Sequence, residues 1–214
     1  MNINAVHLET GADELERLAL EECFKRMRHD HTVSVFVTPA GRCELAAKFA
    51  RMGALVDVAD HAECRQDIEG RILAAGCGAE IRFLGAALPE AAGQAVTEPY
   101  DIIFVRRGLC SVPYPEAKRI VRQLLQKLKI GGRIYLSILG LHSELGDGYS
   151  ALDLPVGKRF GPLAPAIAQK YGISSDICLY TERDLFMLLL ESGASVLRTM
   201  TTSYGSVKAV GGRT

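Results

Sequence analysis

Short runs of β-branched residues alternate along this chain with longer stretches in which apolar positions recur every three or four residues. Residues 12–28 open the pattern: Leu15, Leu18, Ala19, Cys23 and Met27 fall on one face of a helix with charges opposite, so an N-terminal helical segment is expected over 12–30. Thr32 to Val37 (TVSVFV) reads as a strand buried on both faces. It leads through Thr38-Pro39-Ala40-Gly41 into a helix from Glu44 to Met52, which stops at Gly53. Ala54 to Val58 is the second strand, ending at Asp60, and residues 62–75 form the next helix, closed by Gly76. Ile81 to Leu84 and Tyr100 to Val105 are the third and fourth strands. Pro115 opens a helix to Leu128, with Ile120, Val121, Leu124 and Leu125 as its apolar stripe and Lys118, Arg119 and Arg122 on its wet face. Gly131-Gly132 is expected to break it before a fifth strand, Arg133 to Leu139. Thr181 caps a helix to Glu191, and Ser195 to Thr201 and Tyr204 to Val210 read as a closing pair of strands.

Strands of buried type alternating with helices predict an α/β fold: a doubly wound, mostly parallel seven-stranded sheet covered on both faces. Only Thr202 and Ser203 join the last two strands. That is too short for a parallel crossover, so the sheet should finish in a C-terminal antiparallel hairpin. The length, 214 residues, fits a single domain over 1–214. Residues 140–180 are too long for a plain connection and are rich in Gly, Pro, Asp and Tyr, so a lid or substrate-binding insertion is expected there.

Composition narrows the partners. Basic and acidic side chains number 25 each, and zero net charge counts against capture of nucleic acid through its phosphates. A hydrophobic content of 48% excludes a wholly disordered chain. No apolar run approaches the ~20 residues that cross a bilayer, so no membrane partner is expected. Met1 to Glu16 lacks the basic start and apolar middle of a signal peptide, which points to the cytoplasm. Of the cysteines Cys23, Cys43, Cys64, Cys77, Cys110 and Cys178, no two form C-x-x-C, so reduced core thiols are expected rather than a metal centre. His29 and His31 flank an acid in what reads as a polar turn. The oligomeric state stays open.

Open parallel sheets bind ligands outside the carboxyl ends of their strands. Here that edge comprises Thr38 to Gly41, Asp60 and His61, Ala86-Ala87, Arg106-Arg107 and Leu139 to His142. Asp60 is suited to accept both hydroxyls of a ribose, or merely to cap the helix starting near Ala62. Gly76-Cys77-Gly78 follows a helix and precedes a strand, the reverse of a phosphate- or nucleotide-loop context, and reads as a helix cap and turn.

The segment VFVTPAGRCELAAKFARMGALVDVAD (Val35 to Asp60) resembles the first strand–loop–helix–strand of class I S-adenosylmethionine-dependent methyltransferases. YDIIFVRRGL, LLQKLKIGGRIYLSI and YTERDLFMLLLESGASVL resemble that family's fourth-strand motif, its turn into strand five, and its late helix and sixth strand. The resemblance covers most of residues 33–201. It implies a Rossmann-like methyltransferase fold, a small-molecule substrate as the methyl acceptor, and S-adenosylmethionine as cofactor, lying along Thr38, Pro39, Ala40, Gly41, Asp60, His61, Ala86 and Arg106. It departs from the family where Val37 and Ala86 replace acids and where Pro39 and Cys43 replace glycines. Methyl transfer is an in-line displacement that needs alignment more than a fixed triad. For an oxygen or nitrogen acceptor, His142 is the best-placed base, its alternative being a solvated loop residue. Arg107 and Arg106 end the fourth strand, where either suits a carboxylate or phosphate; alternation lets only one face the pocket. Arg107, His142 and Tyr149 are the substrate candidates, with Asp147, Asp153, Lys158, Arg159 and Tyr171 around them. Two other functions fit the pattern: a methyltransferase-like scaffold that has lost the cofactor and acts by binding, and a nicotinamide oxidoreductase, although G-x-G-x-x-G is missing.

Overall fold

The computed structural model describes residues 13–28 and 32–214, so His29, His31 and most of the segment Met1 to Glu16 lie outside the described residues. The first helix, α1 (Glu14–Met27), is capped by Asp13, whose carboxylate accepts the Leu15 N–H at 2.9 Å. Then follow β1 (Ser34–Thr38), α2 (Glu44–Arg51), β2 (Leu55–Asp60), α3 (Arg65–Ala74), β3 (Ile81–Gly85), α4 (Leu88–Gly93) and β4 (Tyr100–Arg106). The second half comprises α5 (Tyr114–Gln126), β5 (Leu128–Ile138), α6 (Pro165–Tyr171), α7 (Glu182–Ser192), β6 (Ser195–Thr201) and β7 (Val207–Gly212).

The seven strands form one sheet in the order β3-β2-β1-β4-β5-β7-β6. The first five pair in parallel, and β7 runs antiparallel between β5 and β6. Leu15, Ala19 and Cys23 of α1, with the inward residues of α2 and α3, cover one face over Val35, Val37, Phe104 and Tyr135. On the other face α4, α5 and α7 lie over Phe36, Ile103, Leu136 and Ile138. Each leucine or isoleucine so buried contributes roughly 1.5–3 kcal/mol, which is why the sheet's interior strands are apolar on both sides.

The sequence reading is corrected at four places. The closing strand is Val207–Gly212 rather than Tyr204 to Val210, so five residues, not two, join it to β6. It includes a glycine pair, of which Gly211 is tightly packed: a Cβ there would lie 3.1 to 3.3 Å from Leu189, Ile134 and Ala194. The pair Gly131-Gly132 does not break β5, which begins at Leu128 and passes through it with a register irregularity opposite Tyr100 and Ile102. The region 62–75 divides into a short 3-10 turn, Ala62–Cys64, and α3. Helix α4 had no counterpart in the sequence pattern, being six residues long.

Beyond β5, backbone packs directly on backbone. A Cβ on Gly140 would lie 1.7 Å from the Gly205 carbonyl oxygen, and one on Gly205 (φ +79°) would lie 2.6 Å from Ser143 Cα. Gly140→Ala is therefore expected to destabilise the fold by about 3 kcal/mol or more, since the severe clash is with the Gly205 backbone, which cannot swing away as a side chain can. Urea unfolding measures this against Gly157→Ala, where a Cβ meets nothing within 4 Å. Equal midpoints for the two variants would show that this close approach does not constrain the fold.

Candidate active site at the carboxyl edge of the sheet

The loop leaving β1 is tied to the end of β2. The Ala40 N–H donates to the Ala59 carbonyl at 3.0 Å, and the Cys43 N–H returns to the Ala40 carbonyl at 2.9 Å. The Thr38–Pro39 peptide bond is cis, and Gly41 (φ +53°) and Cys43 (φ +60°) take left-handed conformations. Thr38 and Ala40 are buried, while Gly41 is exposed and a Cβ there would meet nothing within 4 Å. The crest of the loop is thus bare backbone. Cys43 turns inward and packs with Val37 in the core beneath α2. Burial raises its thiol above the ordinary value, so it stays protonated and serves packing.

Asp60, 5% exposed, ends β2 beside this loop. Its Oδ1 accepts the His61 N–H at 2.9 Å and its Oδ2 receives the Gly41 N–H at 3.5 Å. A carboxylate has about four acceptor positions, so each oxygen keeps a lone pair for another donor. His61 is exposed, whereas Ala86 is buried and donates its N–H to the Leu84 carbonyl at 2.8 Å. A vicinal diol fits these acceptors: two hydroxyls can donate to the carboxylate while the bare crest at Gly41 allows close approach. The ribose of an adenosyl cofactor carries such a diol.

Across the switch in strand order between β1 and β4, the two arginines part. Arg106 stacks over the Phe104 ring, with its guanidinium carbon 5.6 Å from the centroid. It hydrogen-bonds Glu16 and reaches Asp13 at 3.7 Å, both on the α1 side. Arg107 adopts φ +58°, and its N–H donates to the Ser137 carbonyl at 2.6 Å, which fixes the turn out of β4. His142 is exposed just past Gly140. Sequence reasoning missed Asp13, Glu16, Lys48 and Lys208. Lys208, only 2% exposed, donates to Asp13 at 2.9 Å. A lysine inside the buried run VKAVGG was the one signal available, because such an ammonium requires an anion.

Residues 140–180 are a packed lobe. Leu141, Leu145, Leu163, Ile173 and Ile177 join the core on the α5 side. Tyr149, a substrate candidate from sequence, is buried with its hydroxyl on the Arg159 and Ile177 carbonyls, the latter at 2.8 Å; its one proton is taken up by backbone. Arg159 is buried too, donating to the Leu154 and Leu179 carbonyls and to Asp184 at 2.7 Å, where Asp184 also completes the α7 capping box with Thr181. Cys110 and Cys178 lie underneath, their thiols pushed up to about 12 and about 11 by burial, so both are unreactive. No group of three or more potential metal-ligating side chains occurs among the described residues. Nor, among them, is any helix long and apolar enough to cross a membrane.

No protein-family model matches the chain, and no curated protein matches it in sequence. Its similarity to solved structures is extensive. The chain superposes on the CcbJ methyltransferase of Streptomyces caelestis with a TM-score of 0.66 and 13% identity, covering 96% of this chain and 99% of that one. It matches an S-adenosylmethionine-dependent methyltransferase of Methanosarcina mazei with a TM-score of 0.63 and 18% identity, covering 87% and 96%. An O-methyltransferase family protein of Burkholderia thailandensis aligns with a TM-score of 0.62 and 13% identity over 94% of this chain, which spans 56% of that protein's length. The strand order, the antiparallel β7 and these superpositions define the class I S-adenosylmethionine-dependent methyltransferase fold.

Proposed function

We propose that this protein transfers a methyl group from S-adenosylmethionine to a small-molecule acceptor. The observation that carries the reading is Asp60: a nearly buried carboxylate with unused acceptor positions, beside bare backbone at Gly41, where open α/β sheets bind nucleotides. The methyltransferases that share the fold lend it support.

When bound, S-adenosylmethionine supplies an electrophilic methyl group on a sulfonium. Asp60 would accept the ribose hydroxyls, and the bare crest at Gly41 would let the nucleoside approach the backbone. Ala86 presents no polar side chain to the base. Arg107 orients an acidic acceptor from the end of β4, and His142 takes the proton that an oxygen or nitrogen acceptor releases on methylation. The packed lobe of residues 140–180 keeps water from the acceptor side.

Calorimetric titration with S-adenosylhomocysteine, the demethylated product, tests the reading, with NADH as the comparison. Micromolar binding of the thioether nucleoside and no heat from NADH are expected. Heat from neither ligand would leave a scaffold that acts by binding, and heat from NADH alone would indicate a nicotinamide enzyme.

A further inference from the structure

An amino-acid tail on a nucleoside is a zwitterion, and it needs a charge of each sign. Strand β1 offers no acid at its carboxyl end, since Val37 faces the core and the loop Thr38 to Cys43 carries a single charge, the cation Arg42. An acid and a second cation lie next door. Val37 pairs with Phe104 across β1 and β4, so their side chains share a face of the sheet. Arg106, two residues further along β4, belongs to that face and stacks its guanidinium on Phe104. Glu16 of α1 hydrogen-bonds that guanidinium and holds Lys48 of α2 at 3.2 Å. Asp13, one turn earlier, reaches Arg106 at 3.7 Å and is anchored by the buried Lys208 at 2.9 Å. Acids and guanidinium thus meet above the carboxyl ends of β1 and β4, on the side that Val37 leaves apolar.

We infer that Glu16 and Arg106 form the subsite for the amino-acid tail, with Glu16 accepting the ammonium and Arg106 the carboxylate. The inference rests on the adenosyl reading above and adds that the acid comes from the N-terminal helix instead of the first strand. Helix α1 then reports on the ligand directly. Glu16 keeps lone pairs beyond its bonds to Lys48 and Arg106, and Arg106 is still about a third exposed, so each can take a further partner. Asp13 and Lys208 position the helix end and need not touch the ligand.

The test compares S-adenosylhomocysteine with 5′-methylthioadenosine, the same nucleoside thioether without the zwitterion, by calorimetry on the full chain. Wild type should prefer the former by about tenfold or more. Glu16→Gln should reduce that preference about tenfold while binding of 5′-methylthioadenosine is unchanged. Arg106→Met should do the same from the carboxylate side, and thermal melts confirm that both variants are folded. A preference that survives in both folded variants overturns the subsite while leaving the adenosyl reading intact. If wild type binds neither nucleoside, the adenosyl reading fails and the subsite fails with it.

Discussion

If Asp60 holds the ribose as proposed, Asp60→Ala should lower the affinity for S-adenosylhomocysteine by about a hundredfold or more, because a bond to a charged acceptor is worth roughly 1.5–3 kcal/mol and a diol makes two. The melting temperature should barely move. The carboxylate's present partners are the N–H groups of His61 and Gly41, both at exposed positions where water can replace it. Asp60→Asn keeps the shape and one acceptor oxygen, and should fall between the two. Calorimetry on the three proteins measures the order; an alanine variant that binds like wild type would remove Asp60 from the site.

The largest expected effect on stability lies at the opposite edge. Asp101, 1% exposed, accepts the Ser34 N–H at 2.9 Å and the Lys129 ammonium at 2.7 Å, with the Arg26 guanidinium at 3.4 Å. One carboxylate therefore joins the end of α1, the start of β1 and the glycine-rich entry to β5. Removing it takes the acceptor from three part-buried donors, two of them cationic, a change that costs about 3 kcal/mol or more. In a domain of this size Asp101→Ala should lower the melting temperature on the order of 10 °C. Lys129→Ala, which removes a partly exposed partner and spares the acid its bonds to Ser34 and Arg26, should cost far less. A scanning-calorimetry result in which the two variants melt together would contradict this division.

These two acids also mark how far the sequence could be read. The parallel strands were legible because burial on both faces leaves an unbroken apolar run, as in YDIIFV, and the helices α5 and α7 because their stripes are long enough to show a period. Helix α4 is less than two turns long and shows none. The closing strand was placed three residues early because Gly211 and Gly212 look like punctuation, whereas Gly211 sits in the sheet closely packed by Leu189, Ile134 and Ala194. Asp60 was legible because the motif that holds it is continuous in sequence. Arg106 was legible from its place at the end of β4, but its partner Glu16 was not, because that acid lies 90 residues away on another helix and no local pattern encodes the meeting. Tyr149 looked available for the same reason: its acceptors, the carbonyls of Arg159 and Ile177, are defined only once the lobe has folded.

The position of β7 has a consequence for synthesis. This strand follows every other member of the sheet in chain order, yet it sits inside the sheet, with β5 on one flank and β6 on the other. Until it emerges from the ribosome, the nascent chain carries an open, apolar β5 edge with unpaired amides, the kind of edge that recruits foreign strands. The five parallel strands must wait for their last sibling, so rapid release or a shielding chaperone matters more for this topology than for one completed in the order it is made.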